Sequence, residues 1–144
     1  MSRQHHPMFR KDFQRLARLR AREARILLRN GCIEGAYYFA GLSIECALKA
    51  RIAKATCRYG FYDKQYAQKV FTHNLEELLK LADLDRLLQA DAKAQPSLAG
   101  KWNVLKSWNV ESRYQLGGLQ GRAMVEAVGN AGGLGLMTWI AQRW

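Results

Sequence analysis

Apolar residues recur at three- and four-residue steps over most of the chain, the spacing that puts them on one side of an α-helix. Phe9, Phe13, Leu16, Ala17, Ala24, Leu27 and Leu28 trace the first such line, with the arginines of this segment mostly off it. Pro7 suits the first turn of that helix, because its missing N–H is not needed there. Asn30-Gly31 ends it, glycine being favoured just past a helix C-terminus. A second helix is predicted from about Cys32 to Cys57, with Ile33, Tyr37, Ala40, Ile44, Leu48 and Ile52 as its apolar line. Ala36, Gly41, Ser43 and Ala47 keep its surface small enough for another helix to approach closely. The short link at Gly31 makes helices one and two antiparallel neighbours.

Residues 58–72 are rich in Tyr and Phe and are predicted to form a connection. Helix resumes at Asn74, which pairs with Glu77 three residues on as a capping signal. Leu75, Leu78, Leu79, Leu81, Leu84, Leu87 and Leu88 carry that helical pattern to about Lys93. Pro96-Ser97 opens a further segment bearing Trp102, Leu105 and Trp108. These tryptophans are six residues apart, so one is expected in the core and the other partly exposed. Residues 109–119 form a turn, and a helix runs from about Leu119 to Val128. Gly132 to Gly135 interrupt the pattern before a short final helix ending at Trp144. No segment alternates with period two. The expected fold is all-α, an antiparallel up-and-down bundle of four to five main helices plus a short C-terminal helix, in one domain spanning 1–144 with a flexible tail over 1–7.

Composition supports that picture and narrows it. In 144 residues, 49% are hydrophobic and 24% charged, the make-up of a globular chain and not of a disordered one. The longest uncharged stretch, 127–142, is too short and too broken by glycine to span a bilayer, and no apolar run follows the basic N-terminus as in a signal peptide. The spacing of Cys32, Cys46 and Cys57 fits neither a disulfide framework nor a zinc site. A cytoplasmic protein without metal or cofactor is the expectation.

Charge adds a direction. The chain carries a net +11, and residues 1–30 hold nine basic residues opposed only by Asp12 and Glu23, which places seven of the eleven net charges there. Clustered arginine attracts polyanions such as RNA, DNA or an acidic protein partner, or it serves as a solvated face that keeps the protein soluble.

Several segments resemble one family. The run Gly35-Ala-Tyr-Tyr-Phe-Ala-Gly-Leu-Ser-Ile-Glu45-Cys-Ala-Leu-Lys49-Ala-Arg-Ile is similar to the second helix of HEPN domains. Phe71-Thr-His73-Asn-Leu75 resembles the family's His-Asp-Leu segment, with Asn74 in the Asp place. Trp102 to Trp108, then Ser112-Arg113-Tyr114, and the closing Trp139-Ile to Trp144, resemble one bacterial subgroup. The resemblance covers residues 10–144 and implies a helical bundle that forms a homodimer. It further implies an RNA- or nucleotide-binding module, in a toxin–antitoxin or defence setting, with a nucleotidyltransferase as a possible protein partner.

Ribonuclease members of that family carry Arg, four to six residues, then His. No histidine follows Arg113, and His5, His6 and His73 all precede it. The module implied is therefore non-catalytic or weakly catalytic. The alternative is a divergent, metal-independent ribonuclease that joins Arg113 to His73 or to a residue of a partner subunit. Arg113 suits phosphate, being planar, always charged and able to bind bidentately, but it is a poor base. Its other reading is an internal salt bridge to Glu45 or Glu111. Tyr114 either stacks on a base or packs. Glu45 and Lys49 are four apart on helix two and form a favourable pair, either stabilising the helix or lining a cleft. His73 is either a local hydrogen-bonding residue or the chain's acid–base group.

Overall fold

The structure is a computed structural model that describes residues 9–56, 70–129 and 135–144. The tail expected over 1–7 and the aromatic connection up to residue 69 lie outside the described residues. The fold is an all-α bundle, with no strand among the described residues. Its helices are α1 (Arg10–Arg29), α2 (Ile33–Thr56), α3 (Leu75–Leu81), α4 (Asp85–Ala94), α5 (Pro96–Leu105), α6 (Gly121–Val128) and α7 (Leu136–Ala141), with a 3-10 turn at Val110–Tyr114.

Helix α1 stops where its sequence says it should. The Cys32 N–H reaches the Leu27 carbonyl at 2.9 Å and the Gly31 N–H reaches Leu28 at 3.1 Å. This paired closure needs a left-handed residue between, and Gly31 supplies it at φ 75°. The chain then reverses into α2. Leu27 lies against Gly35, and the Arg20 guanidinium lies over the Phe39 ring at 5.6 Å, so contacts run in opposite directions along the two helices. The pair is antiparallel, as the short link requires.

Helix α2 is the centre of the bundle. It packs against α1, α3, α6, α7 and the 3-10 turn. Ser43 to Ala50 are all buried, so the helix is enclosed on every side at its middle. Ala17, Ala21 and Ala24 form the buried side of α1, and Ala36, Ala40 and Ala47 are wholly buried on α2. Small side chains at these positions permit close approach of the backbones.

One expected helix is two. The leucine pattern from Leu75 to Leu88 is interrupted at Ala82-Asp83, where Asp83 takes φ 57°. The Leu84 N–H closes on Leu79 at 3.1 Å and the Asp83 N–H on Lys80 at 3.0 Å, the same closure that ends α1. Aspartate adopts the left-handed conformation more readily than most non-glycine residues, so the break needs no glycine to announce it. The expected α6 start also moves, from Leu119 to Gly121, and the expected turn at 109–119 contains the 3-10 helix.

The two tryptophans divide as their spacing suggests. Trp108 is 3% exposed and Trp102 is half-buried. The Trp108 ring lies flat against Gly41 of α2, so close that a Cβ there would overlap ring carbons. Alanine in place of a mid-helix glycine ordinarily stabilises by about 0.5–1 kcal/mol. Here overlap with a buried ring outweighs that gain, since overpacking costs roughly 1–3 kcal/mol. Gly41→Ala should therefore lower stability in urea denaturation; an unchanged or raised midpoint would mean that Trp108 moves aside freely.

Candidate functional site

Three of the predicted site residues meet. Glu45 sits in the middle of α2 and is 4% exposed. Its Oε1 lies 2.6 Å from His73 Nδ1, and its Oε2 accepts from Lys49 Nζ at 3.4 Å. Lys49 is 9% exposed and lies one turn further along the same side of α2. Both carboxylate oxygens are thus engaged by basic groups, which is what a buried carboxylate requires.

His73 reaches Glu45 because its backbone is held. The Asn74 side chain caps α3 by accepting from the Glu77 N–H at 3.0 Å. The Thr72 hydroxyl accepts from the Asn74 N–H at 3.1 Å and donates to the Glu77 carboxylate at 2.7 Å. These bonds bracket His73 on both sides. An ionised carboxylate accepts only, so Nδ1 carries the proton toward Glu45 and the lone pair of the neutral ring falls on Nε2. The His73 side chain is 51% exposed, whereas that of Glu45 is buried.

Arg113 and Tyr114 stand elsewhere. They lie on the 3-10 turn, both exposed, with the Arg113 guanidinium 4.9 Å from the centre of the Tyr114 ring. The pKa of Arg113 is raised by attraction to Tyr114 and by a side-chain hydrogen bond with Tyr38 of α2. Tyr38 and Glu45 are seven residues apart, about 10 Å along the helix and nearly in line. Arg113 and the Glu45–Lys49–His73 cluster therefore belong to one side of α2 but to different levels of it. Among the described residues no ion pair joins Arg113 to Glu45 or to Glu111.

The cysteine nearest this cluster is not a nucleophile at neutral pH. The Cys46 thiol is pushed up to about 11, first by burial and then by the Glu45 charge, so it stays protonated. No group of three His, Cys, Asp or Glu side chains suited to a metal ion occurs among the described residues. No described helix is long and apolar enough to cross a membrane. A groove of about 580 Å³ between α3, α4 and α5 is lined by Trp102, Lys80, Lys93 and Lys106, among others. None of the predicted site residues lines it.

No family model, curated protein or solved structure matches this chain.

A further feature with functional weight runs along α1. Lys11, Arg15, Arg18, Arg22, Arg25 and Arg29 follow one another at four- and three-residue steps. At about 100° per residue they fall within about 80° of arc, along about 27 Å of helix. All are exposed except the half-buried Arg25. Arg18 also lies over the Trp144 ring at 5.0 Å. Arg20, by contrast, is turned toward α2 and spends its charge on Glu23 at 2.9 Å. The spacing of these cations in the sequence carries the same signal, since steps of three and four set them on a line of their own beside the apolar stripe.

Removing one member of a buried ion pair typically costs about 3–5 kcal/mol, because the other charge stays buried alone. Replacing both by apolar groups of similar size is often close to neutral. Glu45→Leu alone should therefore destabilise strongly in chemical denaturation, and Glu45→Leu with Lys49→Met should recover most of the loss. A double variant as unstable as the single one would place the main role of Glu45 in its bond to His73.

Proposed function

We propose that this chain is a HEPN-like RNA-binding module, non-catalytic or weakly catalytic, that holds the phosphate backbone on the exposed basic face of α1. The observation that carries this reading is the row of six cations, five of them exposed, along about 27 Å of one helix. A backbone of regularly spaced phosphates is the ligand that such a row complements. Arginine's paired donors fit a phosphate bidentately. The helix is fixed in place by its apolar side, so little ordering is needed when the ligand arrives.

Arg113 and Tyr114 supply a second contact of different character. Tyr114 is 71% exposed and its ring already carries a guanidinium on one side. This arrangement suits an unpaired base stacked near a phosphate. The resemblance of the α2 segment and of the Trp102–Tyr114 block to HEPN domains supports the same assignment.

A second reading keeps the ribonuclease chemistry, and one contact favours it. The bond from His73 to Glu45 orients an imidazole as general bases are oriented. Cleavage by this route needs Arg113 and His73 at one phosphate, although among the described residues no hydrogen bond or ion pair joins Arg113 to the Glu45–His73 pair.

Binding of labelled single-stranded RNA across a salt series tests the leading reading. Each phosphate contact contributes about −0.7 to the slope of log affinity against log salt. The triple variant Arg15→Ala, Arg22→Ala, Arg29→Ala should bind more weakly and with a slope shallower by about 2. Arg113→Ala should weaken binding with a much smaller change in slope. Affinity that is flat with salt, or indifferent to the triple variant, overturns the assignment. RNA degradation abolished by both Arg113→Ala and His73→Gln would establish the second reading in its place.

A further inference from the structure

Glu45 and His73 place a preoriented imidazole at the surface, with one nitrogen anchored and the other free. Nδ1 is held by a buried carboxylate at 2.6 Å. Lys49 donates to the other oxygen of that carboxylate at 3.4 Å, so Glu45 is held between two basic groups and its orientation toward the ring is set. The bonds of Thr72, Asn74 and Glu77 fix the backbone on either side of the ring. What remains is a lone pair on Nε2 of a side chain that is half-exposed.

We propose that His73 Nε2 is a phosphoryl-acceptor site. The assignment is independent of RNA binding, because it uses none of the cations of α1. His73 lines neither the groove between α3, α4 and α5 nor the smaller one of about 280 Å³ beside Tyr37 and Ser107. Its side chain is half-exposed, which suits a group delivered from solution by a small donor better than a substrate enclosed for turnover.

The step balances with a donor of the phosphoramidate class. The Nε2 lone pair attacks phosphorus and an N–P bond forms. The donor's P–N bond breaks, and its electron pair leaves with the nitrogen as neutral ammonia, since the zwitterionic donor already carries the proton needed. The ring becomes a cation with Nδ1–H still directed at Glu45. That carboxylate now faces a positive charge across a short hydrogen bond, so it stabilises the product more than the starting ring. Glu45 is thus the positioning residue and His73 the reacting one.

Phosphoramidate itself is the probe. The full chain, incubated with it at neutral pH, should gain its first phosphoryl group, lost in acid and kept in alkali, at His73, as mapped by mass spectrometry. His73→Gln should abolish that label. Glu45→Gln keeps the side chain's size but removes its charge, and should slow labelling of His73 by about tenfold or more. Labelling of wild type in urea guards against a misfolded variant, with His5 and His6 as internal reference. His73 should react faster than these two in the folded chain and at the same rate in the unfolded one. Label confined to His5 and His6, no label, or equal rates for wild type and a folded Glu45→Gln overturns the proposal.

Discussion

A carboxylate in the most enclosed helix of a bundle must be compensated from its own surroundings, and much of this structure is arranged around Glu45. Desolvating an ion costs several kcal/mol, which one long hydrogen bond does not offset. Lys49 supplies charge from the same helix, and its bond of 3.4 Å is long. The shorter bond comes from His73, 28 residues further along the chain. Satisfying Glu45 therefore fixes where the start of α3 lies against α2. Leu75 and Leu78 then enter the core beside it.

The other end of the chain is tied down by the same logic of burial with compensation. Trp139 buries its ring and donates its indole N–H to Asp91 of α4 at 2.8 Å. Arg143 reaches Asp91 at 3.3 Å while stacking on the Trp139 ring. Arg51 of α2 donates to the carbonyl of Arg143 at 2.9 Å and to that of Ala82 at 3.3 Å. One arginine thus joins the central helix to the C-terminal segment and to the break between α3 and α4. Each of these arginines brings several donors to carbonyls or to a carboxylate on neighbouring segments.

Local chemistry was legible in the sequence and distant pairing was not. Asn30-Gly31 and Pro96 mark helix ends through backbone preferences that need no tertiary partner, and both hold. The Asn74 cap and the Glu45–Lys49 pair also span only three and four residues. The break at Asp83 escaped because the leucine periodicity runs on through it and an aspartate stands where glycine is the usual signal. The contact between Glu45 and His73 joins residues 28 apart in sequence, and no spacing rule foretells it. The lodging of Trp108 on Gly41 is of the same kind: the sequence shows a small residue on one helix and an aromatic 67 residues later, and only the fold shows that they fit each other.

The partition of charge argues for function as much as its total does. Where arginines serve the fold, they face carboxylates, carbonyls or rings: Arg20 on Glu23, Arg51 on two carbonyls, Arg143 on Asp91. The row on α1 is different, since Lys11, Arg15, Arg22 and Arg29 are exposed on a helix whose packing relies on alanines turned away from them. Solubility alone asks only for charge of either sign, mixed over the surface. Six like charges within one narrow arc repel one another and add nothing to the packing of α1 on α2. Such an arrangement becomes favourable when a polyanion lies along it and the counterions it had gathered are released. The fold thus keeps its costly charges paired inside and along the C-terminal segment. It gathers six others into one row along α1.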